Sequence, residues 1–191
     1  FGCGTAVPLA PGLRSAAGTL PDAQTLANDG QLASFSFGQG ALTVTPLQIT
    51  AMMNTVANGG VYRAPAFVEG IADSTGAVAA PLEPSAPRTV CDEKTAKVLR
   101  SMLVSVVTEG IGAEARPAAG MAGGKTGTAQ TGQYDENGEE QLNYWFSGFY
   151  PAQAPRYTVT VLQDGILKPE LSSAAIFEKI TEILHVWDAA L

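Results

Sequence analysis

Between Gly124 and Leu162 three extended stretches follow one another with only turns between them. Gly124–Gln130 and Tyr144–Phe149 flank a polar tip, Asp135-Glu136-Asn137-Gly138-Glu139-Glu140. Pro151-Ala152-Gln153-Ala154-Pro155 then turns the chain into a third stretch, Tyr157–Leu162, whose residues alternate as a half-buried strand should. Strands joined this closely pair antiparallel, because a parallel crossover needs a dozen or more residues. A helix beginning near Ser173 places Ile176, Phe177, Ile180, Ile183, Leu184 and Trp187 on one face, suited to covering that sheet.

Two more helices are marked upstream. Thr45-Pro46-Leu47-Gln48 combines an N-cap hydroxyl, proline at the first helical position and a capping-box glutamine. Leu47, Met52, Met53 and Val56 give this helix apolar bulk, and Asn58-Gly59-Gly60 ends it. A second helix runs from about Asp92 to Glu109, with Asp92 and Glu93 in the first turn, where negative charge complements the helix dipole. Ala96, Leu99, Leu103, Val106 and Val107 form its core-facing stripe. Between these helices a short strand is expected around Phe67–Ile71, followed by a proline-rich crossing. Residues 1–40 show no sustained period and read as loop with short pieces of structure.

The 191 residues fit one domain, and 46% apolar against 15% charged residues excludes disorder. Net charge is −7 with Lys and Arg scattered, so no nucleic acid partner is expected. No apolar run approaches the ~20 residues a membrane helix needs. The chain opens on Phe1, and a fragment or processed piece is expected. Cys3 and Cys91 are read as two free thiols.

The dense chemical signal is Gly123-Gly124-Lys125-Thr126-Gly127-Thr128. A phosphate-binding loop would need glycine six residues before Lys125, where Ala119 stands, and a helix after it. The alternative is the Lys-Thr-Gly strand of serine acyltransferases acting on D-Ala-D-Ala peptides or β-lactams. A lysine on an edge strand favours a substrate carboxylate and proton transfer, and neighbouring threonine hydroxyls can bind that carboxylate. Glycine leaves room for an acyl donor to lie along the strand and pair with its backbone. His185, the single histidine, is read as a packed or solvated helix residue rather than part of a triad.

Ordered stretches elsewhere resemble the transpeptidase domain of class B penicillin-binding proteins. Phe37-Gly38-Gln39-Gly40 with Thr43-Val44-Thr45-Pro46-Leu47-Gln48 resembles that family's "FGQG…TPLQ", and Ala57-Asn58-Gly59-Gly60 its "ANGG". Val106–Gly110, Gly120–Gln130 and Tyr144–Phe149 are similar to its third motif and flanking strand. The match is weakest over residues 1–36, where Ser15-Ala16-Ala17-Gly18-Thr19-Leu20-Pro21 stands without the family's glutamate.

Two family motifs are absent. The residues three before Lys94, Lys97, Lys125, Lys168 and Lys179 are Cys91, Lys94, Ala122, Gly165 and Ile176, so no Ser-x-x-Lys exists, and no Ser-x-Asn either. In the family both precede the Phe-Gly-Gln-Gly segment. The resemblance thus implies that residues 1–191 are the C-terminal part of one transpeptidase domain, with the nucleophile upstream. It implies an α/β (α+β) fold, an antiparallel sheet flanked by helices, of which this chain holds three strands, the last helix and part of a helical lobe on the other face. It further implies serine acyl transfer, with Lys125 for electrostatics and proton transfer, Thr126 and Thr128 for the carboxylate, and Gly127 keeping the cleft open. Peptidoglycan stem peptides and β-lactams are the implied ligands, and division or elongation proteins the further partners. The implied setting is the extracytoplasmic face of the bacterial membrane; no cofactor or metal is implied. A non-catalytic binding module and a serine β-lactamase or β-lactam sensor remain open as alternatives.

Overall fold

The computed structural model describes residues 1–10, 12–68, 70–81 and 85–190. Its largest sheet has the order β7-β8-β9, formed by β7 (Gly123–Tyr134), β8 (Glu140–Tyr150) and β9 (Tyr157–Ile166), antiparallel throughout. The three expected strands are present and longer than expected. The Gln130 Nε2 donates to Glu140 Oε2 at 2.9 Å, and a register shift between Gln130 and Tyr134 carries the hairpin outward, so Glu140 belongs to β8 rather than to the tip.

Successive residues of β8 face opposite ways. Phe146 and Tyr150 pack with Ala174 and Phe177 of α5 (Ser173–Ala189), the Phe146 and Phe177 ring centroids lying 4.8 Å apart. Phe149, on the other face, packs with Met53 and Ala57 of α3 (Pro46–Ala57). Hydroxyls continue that second seam: Thr50 Oγ1 donates to Thr160 Oγ1 at 2.8 Å, and Ser147 Oγ lies 2.8 Å from the same atom. The sheet is thus sandwiched between α3 and α5. At the β7 end α4 (Glu93–Thr108) places Val107 in the first cluster and Leu103 and Val104 in the second.

Helix starts follow the expected chemistry. Thr45 Oγ1 accepts from the Gln48 N–H at 3.2 Å, and Gln48 Oε1 accepts from the Thr45 N–H at 2.9 Å. Gln48 does more than cap. It is 1% exposed, and its Nε2 reaches the carbonyls of Gly2, Thr5 and Ala17 at 3.3, 3.3 and 2.6 Å, fastening the N-terminal segment to α3. Asp92 caps α4 through the Thr95 N–H at 2.6 Å.

Three expectations need correction. Residues 1–40 contain a helix pair, α1 (Ala23–Leu26) and α2 (Asp29–Ser36), with Asn28 Oδ1 accepting from the Gly30 and Gln31 N–H groups. On α5, Ile183 and Trp187 are exposed at 69% and 57%, because the sheet reaches only the face carrying Phe177 and its neighbours. On α4, Leu99 is likewise exposed.

The short strands are peripheral: β1 (Pro8–Ala10) with β2 (Leu13–Arg14), β3 (Val61–Tyr62) with β6 (Arg88–Thr89), and β4 (Gly70–Ala72) with β5 (Val78–Pro81). The strand expected around Phe67–Ile71 begins at Gly70, with Glu69 outside the described residues, as are residues 82–84 of the proline-rich crossing. Cys3 and Cys91 are free. Among the described residues no helix is long and apolar enough to cross a membrane.

Candidate active site

The site is built on β7, and its first two residues fix where the strand lies. A Cβ on Gly123 would come within 2.4 Å of the Phe149 ring, and one on Gly124 within 2.6 Å of the Phe146 ring and 2.8 Å of the Ser147 carbonyl. Both rings are fully buried. Only glycine lets β7 approach β8 closely enough for the rings to close over it, one on each face of the sheet.

Beyond them the strand opens to solvent. Lys125, Thr126, Gly127 and Thr128 stand opposite Ser147, Phe146, Trp145 and Tyr144 of β8, and Lys125, Gly127 and Thr128 are exposed. The other side of β7 has no strand partner among the described residues. Lys125 Nζ bends along the strand and donates to the Thr126 carbonyl at 3.0 Å and to Thr126 Oγ1 at 3.1 Å. No carboxylate forms an ion pair with it among the described residues, where the one pair is Arg156–Asp188 at 2.9 Å. Its charge is therefore free for an anionic group on the open edge.

The Thr128 carbonyl faces the same edge, because Gln39 Nε2 reaches it at 3.5 Å. Backbone polar groups of alternate residues point to the same side of a strand, so the N–H groups of Thr126 and Thr128 also face outward. The structure thus brings Lys125 and Thr126 into contact, leaves Gly127 as the gap between two threonines, and sets Thr128 against Gln39. The sequence had marked Gln39 only as part of a motif, and its approach to residue 128 was not visible there.

The phosphate-loop alternative fails, since Lys125 is followed by strand through Tyr134 instead of a helix. His185 Nδ1 lies 3.0 Å from the Tyr150 hydroxyl, which donates to the Ala119 carbonyl at 3.0 Å. Burial, and then the Asp188 charge, push the Tyr150 phenol up from its ordinary range. This group fastens α5 to the sheet and shares no residue with the Lys125–Thr128 edge. A shallow cavity of about 270 Å³, lined by Val107, Thr108, Arg116, Gly120, Met121 and Ala122, includes none of the four residues either.

The chain is similar to known proteins along most of its length. The family model described as "Penicillin binding protein transpeptidase domain" matches residues 1–182. Stage V sporulation protein D of Bacillus subtilis is 39% identical over 136 residues, covering 69% of this chain and 20% of that protein. Penicillin-binding protein PbpB of Mycolicibacterium smegmatis is 35% identical over 166 residues, covering 77% and 24% respectively. The crystal structure of penicillin-binding protein 3 from Mycobacterium tuberculosis complexed with ampicillin superposes with a TM-score of 0.82 at 28% identity, over 98% of this chain and 44% of that one. The chain therefore spans under a quarter of the length of these two curated relatives. The resemblance to class B penicillin-binding proteins and the expected fold are both borne out. With a family model covering nearly its whole length and the Lys-Thr-Gly-Thr run on an open sheet edge, the chain belongs to the penicillin-binding protein transpeptidase family.

Proposed function

We propose that this chain supplies one wall of the acyl-transfer cleft of a peptidoglycan D,D-transpeptidase, and that residues 1–191 form the C-terminal part of that domain. The observation that carries the reading is the outer edge of β7, without a strand partner among the described residues, with Lys125, Thr126, Gly127 and Thr128 along it. A serine upstream attacks the carbonyl of the penultimate D-Ala of a stem peptide. The terminal D-Ala leaves as an amine carrying a proton, and a second stem peptide's amine, losing one, takes the acyl group. Lys125 supplies positive potential and helps move the proton. Thr126 and Thr128 hydroxyls hold the donor's terminal carboxylate, and Gly127 leaves space for the donor to lie against the strand. The outward Thr128 N–H stabilises the oxyanion, a kind of contact worth about 3–4 kcal/mol in comparable sites.

β-Lactams would acylate the same serine. The ampicillin complex of the Mycobacterium tuberculosis relative supports that reading. The cleft works on the extracytoplasmic face of the bacterial membrane, beside division or elongation proteins.

The isolated 191 residues hold no Ser-x-x-Lys, so they are expected not to react with a fluorescent penicillin, whereas the full-length protein is expected to become covalently labelled. Labelling of the isolated chain, or no labelling of a full-length protein carrying Ser-x-x-Lys, would overturn the proposal.

A further inference from the structure

Residues paired directly across neighbouring strands send their side chains to the same face of the sheet. Lys125 pairs with Ser147 and Ser147 with Thr160, so these three side chains form one row across β7, β8 and β9. The row stands on the face that Phe149 shares with α3. Thr126 pairs with Phe146 and belongs to the opposite face, towards α5. The two bonds from Lys125 Nζ to Thr126 therefore draw the ammonium round the outer edge of β7, away from its own row.

The rest of that row is a chain of hydroxyls. Ser147 Oγ lies 2.8 Å from Thr160 Oγ1, which lies 2.8 Å from Thr50 Oγ1 of α3, and Thr50 Oγ1 lies 2.8 Å from the Pro46 carbonyl. Each hydroxyl carries one proton, and the carbonyl can only accept. One order alone gives every proton an acceptor: Ser147 donates to Thr160, Thr160 to Thr50, and Thr50 to Pro46. Any other order leaves the proton of Ser147 or Thr160 without an acceptor among the described residues. Ser147 is only 5% exposed, where an unmade donor is costly.

That order makes Ser147 Oγ an acceptor, strengthened by the hydroxyls polarised behind it. The side chain opposite it on β7 is Lys125, a donor with three N–H groups. Cβ atoms of such a pair stand about 4.5–5.5 Å apart, within the span of a lysine's four-carbon stem.

We propose that Ser147 is a positioning residue for Lys125, offering its ammonium a second, inward place over the α3 face of the sheet. At the strand edge the ammonium meets an arriving anion; in the inward place it stands in its own row, held by Ser147, while a proton moves. Thr160 and Thr50 act through Ser147 by fixing which way its proton points. The inference rests on the acyl-transfer reading above and adds no bond made or broken to it.

The test follows acylation of the full-length protein by benzylpenicillin, separating the limiting rate from the half-saturating concentration. In Ser147→Ala the limiting rate is expected to fall about tenfold, the scale of a hydrogen bond to a charged group, with the half-saturating concentration unchanged. Ser147→Thr keeps the hydroxyl and should keep the rate. Thr160→Val, which does not touch Lys125, removes the acceptor of the Ser147 proton and turns that proton towards the ammonium. Its limiting rate should fall as well, and Thr160→Ser should restore it. A purely structural role would instead lower the melting temperature and leave the limiting rate of the folded protein as it was. An unchanged limiting rate in Ser147→Ala or Thr160→Val, or a loss confined to the half-saturating concentration, overturns the role of Ser147 and leaves the acyl-transfer reading intact. Failure of the wild-type full-length protein to be acylated overturns both.

Discussion

The first residues of β7 and the ones that follow them differ in burial and in what glycine does there. Gly123 and Gly124 are buried under Phe149 and Phe146, with the nearest ring atoms where a Cβ would stand. Of Lys125 to Thr128, next along the same strand, all but the half-buried Thr126 are exposed, and a Cβ on Gly127 would lie 3.4 Å from Trp145 Cβ, an ordinary contact. Glycine serves opposite purposes in the two places. In the closed half it lets the sheet pack; in the open half it costs the fold almost nothing and leaves room for something outside it. The closed half also sets the position of the open one, since a strand clamped by rings on both faces cannot shift its next residues.

That contrast breaks most easily at the clamp. Gly124→Ala forces a methyl into the Phe146 ring, which Phe177 prevents from moving, and into the Ser147 backbone. Overpacking of this kind costs about 1–3 kcal/mol, and Gly123→Ala, against the buried Phe149, should cost at least as much. For a chain of this size the expected fall in melting temperature is roughly 2–10 °C, read by thermal denaturation. A melting temperature within a degree of wild type in both variants would show that the rings do not clamp β7.

The sequence revealed this fold unevenly. The start of α3 was legible because its signals lie within four residues and act on one another, Thr45 and Gln48 exchanging side-chain and backbone bonds. The strand centres were legible from alternation. Their ends were not, because Thr131 to Tyr134 and Glu140 to Asn143 are held by a cross-strand bond and an altered register rather than by apolar pattern. α2 escaped notice because no residue in it is buried, leaving the Asn28 cap as its only mark. The reverse error occurred on α5, where a regular apolar stripe overstated what the sheet covers, leaving Ile183 and Trp187 exposed. At the candidate site, Lys125 to Thr128 were singled out from their own letters and neighbours. The Gln39 contact, like the reach of Gln48 to Ala17, joins segments that only the folded chain brings together.

A smaller change separates the two roles of glycine. Gly127→Ala meets only ordinary contacts, so its melting temperature should match wild type to within about 2 °C, as for surface positions generally. On the acyl-transfer reading proposed above, the added methyl would nonetheless obstruct an acyl donor in the full-length protein, and penicillin acylation should fall on the order of tenfold to a hundredfold. A variant that loses stability without losing acylation would reverse the assignment of the two halves.

The smallest expected effect concerns α5, the helix that covers one face of the closed half. Burial, and then the hydrogen bond and charge of Glu182, push the Glu178 carboxyl above its ordinary range. A carboxyl whose pKa is raised on folding stabilises the protein while protonated, and that contribution is lost as pH rises through the folded-state value. At neutral pH the native state therefore carries the cost of the ionised form. Glu178→Gln should raise the melting temperature slightly at pH 7, and the gain should shrink to nothing as pH falls below the carboxylate range. Because the side chain is only partly covered, added salt should reduce the gain further. A gain that grows toward acid pH would have the wrong sign. A gain as large as the loss in Gly124→Ala would mean that charge on α5, more than ring packing beneath it, limits how firmly the closed half is held.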